Sequence, residues 1–391
     1  MADRIPVAVL GATGAVGQRF VQLLDRHPWF ELAETAASER SAGRSYGEAA
    51  RWILPGAIPA AAARLTVRRV GEPLASTVVF SALDAETARE AEPRYARDGH
   101  VVVSNASAFR MHPAVPLLVP EINPESIDLL PRQPWSSGGG GIVTNPNCCV
   151  AGLALALAPL ERLFGIAHVT VTTLQALSGA GYPGVASLDA AGNVIPHIAG
   201  EEEKIEEEPG KILRANFPIS VSVNRVPVRD GHTESVFVKL KRPAELSEIR
   251  SALAEFRGEP QRLGLPSAPE APIVVLDEPD RPQPARDVER EGGMAVFAGN
   301  LRRDPWFDAR FTVLVHNTVR GAAGAALENA ELLAARGLVG RAAAGSAEAA
   351  RCTTGETVRC AAGEAAKCAA GEAAKCAAGE AAKNAAGEAA N

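Results

Sequence analysis

Residues 5–10, IPVAVL, are an unbroken apolar run, the pattern of a strand covered on both faces. GATGAVG (11–17) follows as a glycine turn, and in QRFVQLLDRHP the apolar positions take helical spacing until Pro28. FELAETAAS returns to strand character and completes a β-α-β start. Short apolar runs at 77–83 (TVVFSAL) and 100–104 (HVVVS) then alternate with helical stretches such as DAETAREAEPRYARDG. Strands alternating with helices predict a doubly wound parallel sheet.

The pattern changes after Cys148. HVTVTTLQAL (168–177), VSVNRVPV (221–228) and ESVFVKLKR (234–242) alternate apolar with polar positions, which predicts strands with one covered face. AELSEIRSALAEFRG (244–258) predicts a helix that stops at a glycine, and residues 311–337 predict a strand, a turn and a long helix returning to the first domain. The expected fold class is therefore α/β. A Rossmann-type doubly wound parallel sheet occupies 1–147 and is completed by the helix at about 317–337. A second α+β domain with a mixed or antiparallel sheet occupies 148–316.

The last segment is of another kind. From Arg351 the chain repeats every eight residues (RCTTGETV, RCAAGEAA, KCAAGEAA) and places Cys352, Cys360, Cys368 and Cys376 at one position of the repeat. On a helix these cysteines rotate by roughly 80° per repeat and form no stripe. Each repeat also carries a glycine, which costs a helix roughly 1 kcal/mol. Residues 345–391 are expected as a low-complexity tail, a frayed helix or disordered.

Composition narrows the function. The chain has 391 residues, 47% hydrophobic, enough for two cores, and its 5% aromatic content suits tightly packed α/β layers. A net charge of −6 with interspersed signs excludes a basic nucleic-acid face and a polybasic membrane patch. The N-terminus lacks a basic region followed by a long apolar run, and no stretch of 18 apolar residues occurs, so neither a signal peptide nor a membrane span is expected. Two adjacent cysteines and four in the tail make no disulfide scaffold for the body, and a reducing cytoplasm fits best. Cys-x7-Cys is not a zinc spacing, and no metal site is expected.

Three constellations carry chemistry. In the first, Gly11 and Gly14 permit a tight turn and close approach of a pyrophosphate, Gly17 lets the helix pack on the sheet, and the helix start offers free N–H donors. The second strand ends in SERSAGR, where Ser38, Arg40 and Ser41 suit a 2′-phosphate; Glu39, turned inward, would instead accept a 2′-hydroxyl. In the second, TNPNCC (144–149), Asn147 is a good N-cap, so Cys148 falls at the first helical position, where free N–H groups and the helix dipole favour a thiolate. Cys149 lies about 100° further round the helix. The motif alone does not choose between a nucleophile and two small core residues. The third is a candidate base: His232, at a loop-to-strand junction in RDGHTESVFVKL, with His197 and His316 as alternatives. Arg225 lies near it, and Glu208 and Lys211, three apart in EEEKIEEEPGK, share one side of a turn.

Taken together, GATGAVGQRF, SERSAG, SNASAFRM, TNPNCC, LQALSGAG, GEEEKIEEEPGKIL, NRVPVRDGHT and HNTVRGAAG resemble, in order, the aspartate-semialdehyde dehydrogenases, most of all the archaeal and fungal form. The resemblance covers residues 5 to about 337 and leaves out the tail. It implies reduction of L-aspartyl 4-phosphate to the semialdehyde with NADPH, within lysine, threonine and methionine biosynthesis, by a homodimer or homotetramer. It also implies that Cys148 is the nucleophile, His232 the acid/base, and Gln175 the residue that orients the acyl group. Arg225 and Glu208 match contacts to the amino-acid end, and Arg110 and Lys211 the phosphate site, with Asn105 close by. Gly11, Thr13, Gly14, Ala15, Val16, Ser38, Arg40, Ser41, Ser178, Gly179 and Asn317 match the cofactor site. Cys149 stands where that family usually carries Ser or Thr. The nearest alternative is a malonyl-CoA reductase of the same kind, which would not need both Arg110 and Lys211. A non-catalytic NADP-binding regulator would lack the Cys–His pair.

Overall fold

The structure, a computed structural model, describes residues 4–340; the octapeptide tail and its expected frayed or disordered state lie outside the described residues. Two six-stranded sheets are present. The first contains β1 (Ile5–Leu10), β2 (Phe30–Ala37), β3 (Val67–Arg69), β4 (Val78–Ser81), β5 (Val101–Ser104) and β6 (Gly141–Thr144). All its pairings are parallel, in the order β3-β2-β1-β4-β5-β6, which is the doubly wound order expected. The strand order reverses between β1 and β4. A crevice therefore opens at their carboxyl ends, beside Leu10 and Ser81.

Helix α1 (Ala15–Leu24) follows the glycine turn and ends four residues before Pro28. Helix α2 (Ala85–Arg97) is capped by the Asp84 side chain, which accepts from the N–H groups of Glu86 and Thr87. The apolar run of TNPNCC onward forms α3 (Cys148–Phe164), buried almost throughout. It is apolar all round because it is enclosed all round. Val150, Leu153 and Leu157 share one core with Val169, Val171, Val236, Val238 and Val313 of the second sheet, Ile205 and Ile212 of α4 (Glu201–Leu213), and Ile249 and Leu253 of α5 (Leu246–Ala254).

The second sheet is mixed, in the order β10-β11-β12-β9-β7-β8. It comprises β7 (Ile166–Gln175), β8 (Ile219–Arg225), β9 (His232–Leu240), β10 (Ile273–Leu276), β11 (Val296–Arg302) and β12 (Ala309–Val315). β12, β9 and β7 are antiparallel neighbours, while β8 joins β7 in parallel. Four strands (β3, β6, β10 and β11) were not anticipated. They span 3, 4, 4 and 7 residues, mostly too few for a period to register. The final helix α6 (Gly324–Ala335) places Ala326, Leu327, Ala330 and Leu333 in the core of the first sheet, with Val7, Phe20 and Val78. Among the described residues no helix is long and apolar enough to cross a membrane.

Candidate active site

The crevice begins at the glycine turn. Gly11 has φ +70°, and a Cβ there would stand 2.6 Å from the carbonyl oxygen of Ala82. A Cβ at Gly17 would collide with the carbonyl oxygen of Gly11, so the helix can sit this close to the turn only as glycine. Gly14 N-caps α1 without a side-chain acceptor, which leaves the first N–H groups of the helix pointing at the crevice beside Thr13, Ala15 and Val16. At the end of β2, Ser38 and Arg40 are exposed and Ser41 closes a turn on the Ser38 carbonyl at 2.9 Å. The Glu39 carboxylate faces Arg69 at 3.4 Å.

Across the crevice α3 begins. The Asn147 side chain accepts from Cys149 N at 2.9 Å and Val150 N at 3.4 Å, as a good cap should. Cys148 Sγ lies 3.1 Å from His232 Nε2. His232 Nδ1 accepts the Ala176 N–H at 3.0 Å. Because an amide can only donate, the neutral ring carries its proton on Nε2, toward the sulfur. The Cys148 thiol is held well below its usual range by the neighbouring Cys149 thiol, against the cost of burial, with His232 and Arg110 adding to the effect. Cys149 moves the other way, up, through burial first. His197 is exposed, and His316 is buried with Nε2 3.4 Å from Glu289, so neither serves this sulfur.

A cavity of about 300 Å³ opens above Cys148, lined among others by Asn105, Arg110, Ser178, Gly179, Lys204 and Asn317. Gly179 leaves room for its neighbours: a Cβ there would stand 2.9 Å from Arg225 Nη1 and 3.1 Å from His232 Cε1. Arg225 is buried and donates to the Ala176 carbonyl at 2.7 Å. Gln175, equally buried, reaches Thr173 Oγ1 at 3.4 Å and Glu201 Oε2 at 3.5 Å. Asn317 donates to Ser178 Oγ at 2.8 Å and accepts from Gly231 N at 2.9 Å. Asn105 accepts from Asn145 at 2.9 Å, and its carbonyl receives Arg110 Nη2 at 2.7 Å.

Two of the expected site residues are engaged elsewhere. Lys211 is not among the cavity's lining, because its ammonium is spent on the backbone carbonyls of Arg110, His112 and Val115. Glu208 is likewise engaged: Oε1 binds Arg110 Nη1 at 2.9 Å and Oε2 accepts Asn147 N at 2.6 Å. It is a buried brace between Arg110 and the cap of α3, not a free acceptor. One two-turn step earlier on α4, Glu201 and Lys204 line the cavity instead, paired at 2.7 Å. The sequence carries the same Glu-x-x-Lys spacing twice, EEEK and EPGK, so the signal was present. Gly321 also escaped notice. It sits in a stretch (319–323) with i→i+5 bonding, such as Gly321 N to the His316 carbonyl at 2.9 Å. A Cβ on it would lie 2.9 Å from the Cβ of Cys148 and 3.0 Å from its Cα.

A thiol at a helix start, an imidazole with its proton aimed at that thiol, and cations across a cavity form a site for acyl transfer from an anionic leaving group. Comparison with known proteins identifies the family. Residues 6–130 match the semialdehyde dehydrogenase NAD-binding domain, and residues 157–320 the semialdehyde dehydrogenase dimerisation domain. The chain is 50% identical to an aspartate-semialdehyde dehydrogenase of Methanothermobacter thermautotrophicus, covering 84% of this chain and 99% of that one. It is similar to the crystal structure of aspartate-semialdehyde dehydrogenase with NADP from Candida albicans, at 40% identity and a TM-score of 0.79, over 86% of this chain and 100% of that one. A second structure, aspartate-semialdehyde dehydrogenase II of Vibrio cholerae, is 28% identical with a TM-score of 0.71, over 85% of this chain and 99% of that one. The chain belongs to the aspartate-semialdehyde dehydrogenase family.

Proposed function

We propose that this chain catalyses the NADPH-dependent reductive dephosphorylation of L-aspartyl 4-phosphate to L-aspartate 4-semialdehyde, in lysine, threonine and methionine biosynthesis. The observation that carries the reading is the 3.1 Å contact between Cys148 Sγ and His232 Nε2 at the mouth of a cavity that also holds Arg110 and Lys204. Residues 1–147 with the helix at about 317–337 bind the cofactor in this reading, and 148–316 carry catalysis and the contact between subunits. A homodimer or homotetramer in the cytoplasm fits it.

The cofactor site fits the nucleotide: Gly11 and Gly14 close the tight turn that a pyrophosphate lies against, and α1 offers uncapped N–H groups at Ala15 and Val16, next to Thr13. Ser38, Arg40 and Ser41 take the 2′-phosphate, which the outward Glu39 does not oppose. Ser178, Gly179 and Asn317 border the nicotinamide end.

Cys148 attacks the acyl carbonyl as a thiolate. The Cys148 N–H, the amide at the start of α3 that the Asn147 cap leaves uncommitted, stabilises the oxyanion, worth roughly 3–4 kcal/mol in comparable sites. Arg110 and Lys204 hold the departing phosphate, Arg225 holds the substrate carboxylate and Gln175 orients the acyl group. NADPH, when bound, supplies the hydride that reduces the Cys148 thioester. His232 then gives its Nε2 proton to the hemithioacetal oxygen and recovers one as the aldehyde leaves.

A steady-state assay of aspartate semialdehyde plus phosphate against malonyl-CoA tests this reading. Turnover of the first pair with NADP is expected, and turnover of malonyl-CoA alone would replace it with the malonyl-CoA reductase alternative.

A further inference from the structure

Two walls of the cavity are joined by one buried residue that the mechanism leaves unused. Asn145 directly follows β6 and is fully buried. Its Nδ2 donates one hydrogen to Asn105 Oδ1 and the other to the Ala322 carbonyl, both at 2.9 Å. Its Oδ1 accepts Asn329 Nδ2 of α6 at 2.6 Å, and its backbone N–H donates to the Ser104 carbonyl at 2.8 Å. Asn105 and Ala322 both line the cavity, one from the end of β5 and the other from the 319–323 stretch.

A side-chain amide has a donating end and an accepting end, and the way it is turned decides what it presents to a ligand. Here two backbone carbonyls fix the sense of both amides. The Ala322 carbonyl can only accept, so the nitrogen of Asn145 is the end turned toward it and toward Asn105. Asn105 meets that nitrogen with its oxygen. Its own nitrogen is left at the other end, where one N–H reaches the Ser81 carbonyl at 3.2 Å. The second N–H has no acceptor among the described residues, and Asn105 is only half-buried at the cavity wall. Arg110 Nη2 is held on the carbonyl of this same Asn105 at 2.7 Å, so amide and guanidinium serve one part of the cavity. A donor there adds to the hold on an anion, whereas the reversed amide would set an oxygen against it.

We propose that Asn145 is a positioning residue for the phosphate end of the site. By donating to Asn105 Oδ1 it turns the Asn105 amide so that an N–H, and not an oxygen, faces the phosphate. Asn145 touches neither substrate nor cofactor and acts through Asn105. The inference rests on the proposed reading of this cavity as the phosphate site.

The test is calorimetric titration of inorganic phosphate into the full chain loaded with NADP, which needs no turnover. Asn145→Ala is expected to weaken phosphate binding roughly tenfold, the scale of one hydrogen bond to a charged group, and to leave NADP affinity within about twofold. Asn105→Ala is expected to weaken phosphate to a similar extent. The double variant should bind phosphate no more weakly than Asn105→Ala, because the one residue acts only through the other. Unchanged phosphate affinity in Asn145→Ala overturns the proposal. So do losses that multiply in the double variant, since Asn145 would then act by a separate route. If Asn145→Ala does not fold, the native chain decides. The side-chain NH2 resonances of Asn105, identified by their loss in Asn105→Ala, are expected to shift as phosphate is added, and resonances unmoved at saturation overturn the proposal. Failure of the functional reading is distinct: the native chain itself would then bind no phosphate, before any variant is compared.

Discussion

His232 Nε2 faces Cys148 Sγ at 3.1 Å, and the Ala176 N–H on the opposite ring nitrogen fixes which proton it offers. Cys148→Ser is expected to lower turnover by roughly 10⁴-fold or more, with NADPH binding retained by fluorescence titration. His232→Asn, which removes the proton donor, is expected to lower kcat by roughly 10²–10⁴-fold while Cys148 stays open to alkylation. Near-normal kcat in either variant would defeat the mechanism.

Lys204 and Lys211 sit two turns apart on α4 and separate cleanly by experiment. Lys204→Ala is expected to raise KM for phosphate roughly 10- to 100-fold, measured in the oxidative direction, and to leave the melting temperature near its native value. Lys211→Ala is expected to cost about 1.5–3 kcal/mol of stability, because three carbonyls of the 110–115 loop lose a charged donor. The reverse assignment of the two effects would restore Lys211 to the phosphate site.

Gly321 is the only residue type that the approach to Cys148 allows, since the neighbouring contacts are with backbone and Cβ atoms that cannot swing away. Gly321→Ala is therefore expected to displace the thiol and cut kcat by roughly 10²-fold, the scale of a 1 Å misplacement. Measuring kcat and Cys148 alkylation together checks it: both should fall, and native values of both would refute the contact.

Arg40 and Ser38 at the end of β2 are expected to set cofactor choice. Arg40→Ala should raise KM for NADPH by roughly tenfold or more and leave NADH kinetics unaltered. Comparable native efficiency with NADH and NADPH would instead place Glu39 at the ribose, contrary to its pairing with Arg69.

Glu92 lies in α2, fully buried, accepting from Ser104 Oγ at 2.6 Å. Burial raises its carboxyl from 4.5 to about 7, with the Ser104 hydrogen bond opposing the rise. Between those values the folded protein holds a proton that the unfolded chain has released. Its contribution to stability is therefore full below about pH 4.5 and is lost as pH rises through 7. Urea melts at pH 5 and pH 8 should show this loss, on the order of 2–3 kcal/mol at most, and Glu92→Gln should remove it. The same pH dependence in the variant would assign it to another group.

Much was legible in the chain because the relevant physics is local. A buried parallel strand must be an unbroken apolar run, a tight βα turn needs glycine, and a helix start needs a cap. IPVAVL, Gly11 and Asn147 therefore announced the first sheet, the crevice and the position of Cys148 at the helix start. The Cys–His pairing was legible only through the order of motifs, since 84 residues separate the two side chains. Strands as short as β3 and β6 carry too few positions for a period, and pairing with β2 and β5 is what defines them.

The choice between EEEK and EPGK shows the limit most clearly. Glu201 and Glu208 are seven residues apart, close to two helical turns, so both pairs face the same side of α4 and no local rule separates them. Only the packing of the 110–115 loop decides. It lies over the second pair, takes up the donors of Lys211, and leaves Lys204 to the cavity. Cys149 is the same case. Helical geometry set it apart from Cys148, but only the packing of α3 against the second sheet buries it completely, in one core with Val171 and Val236.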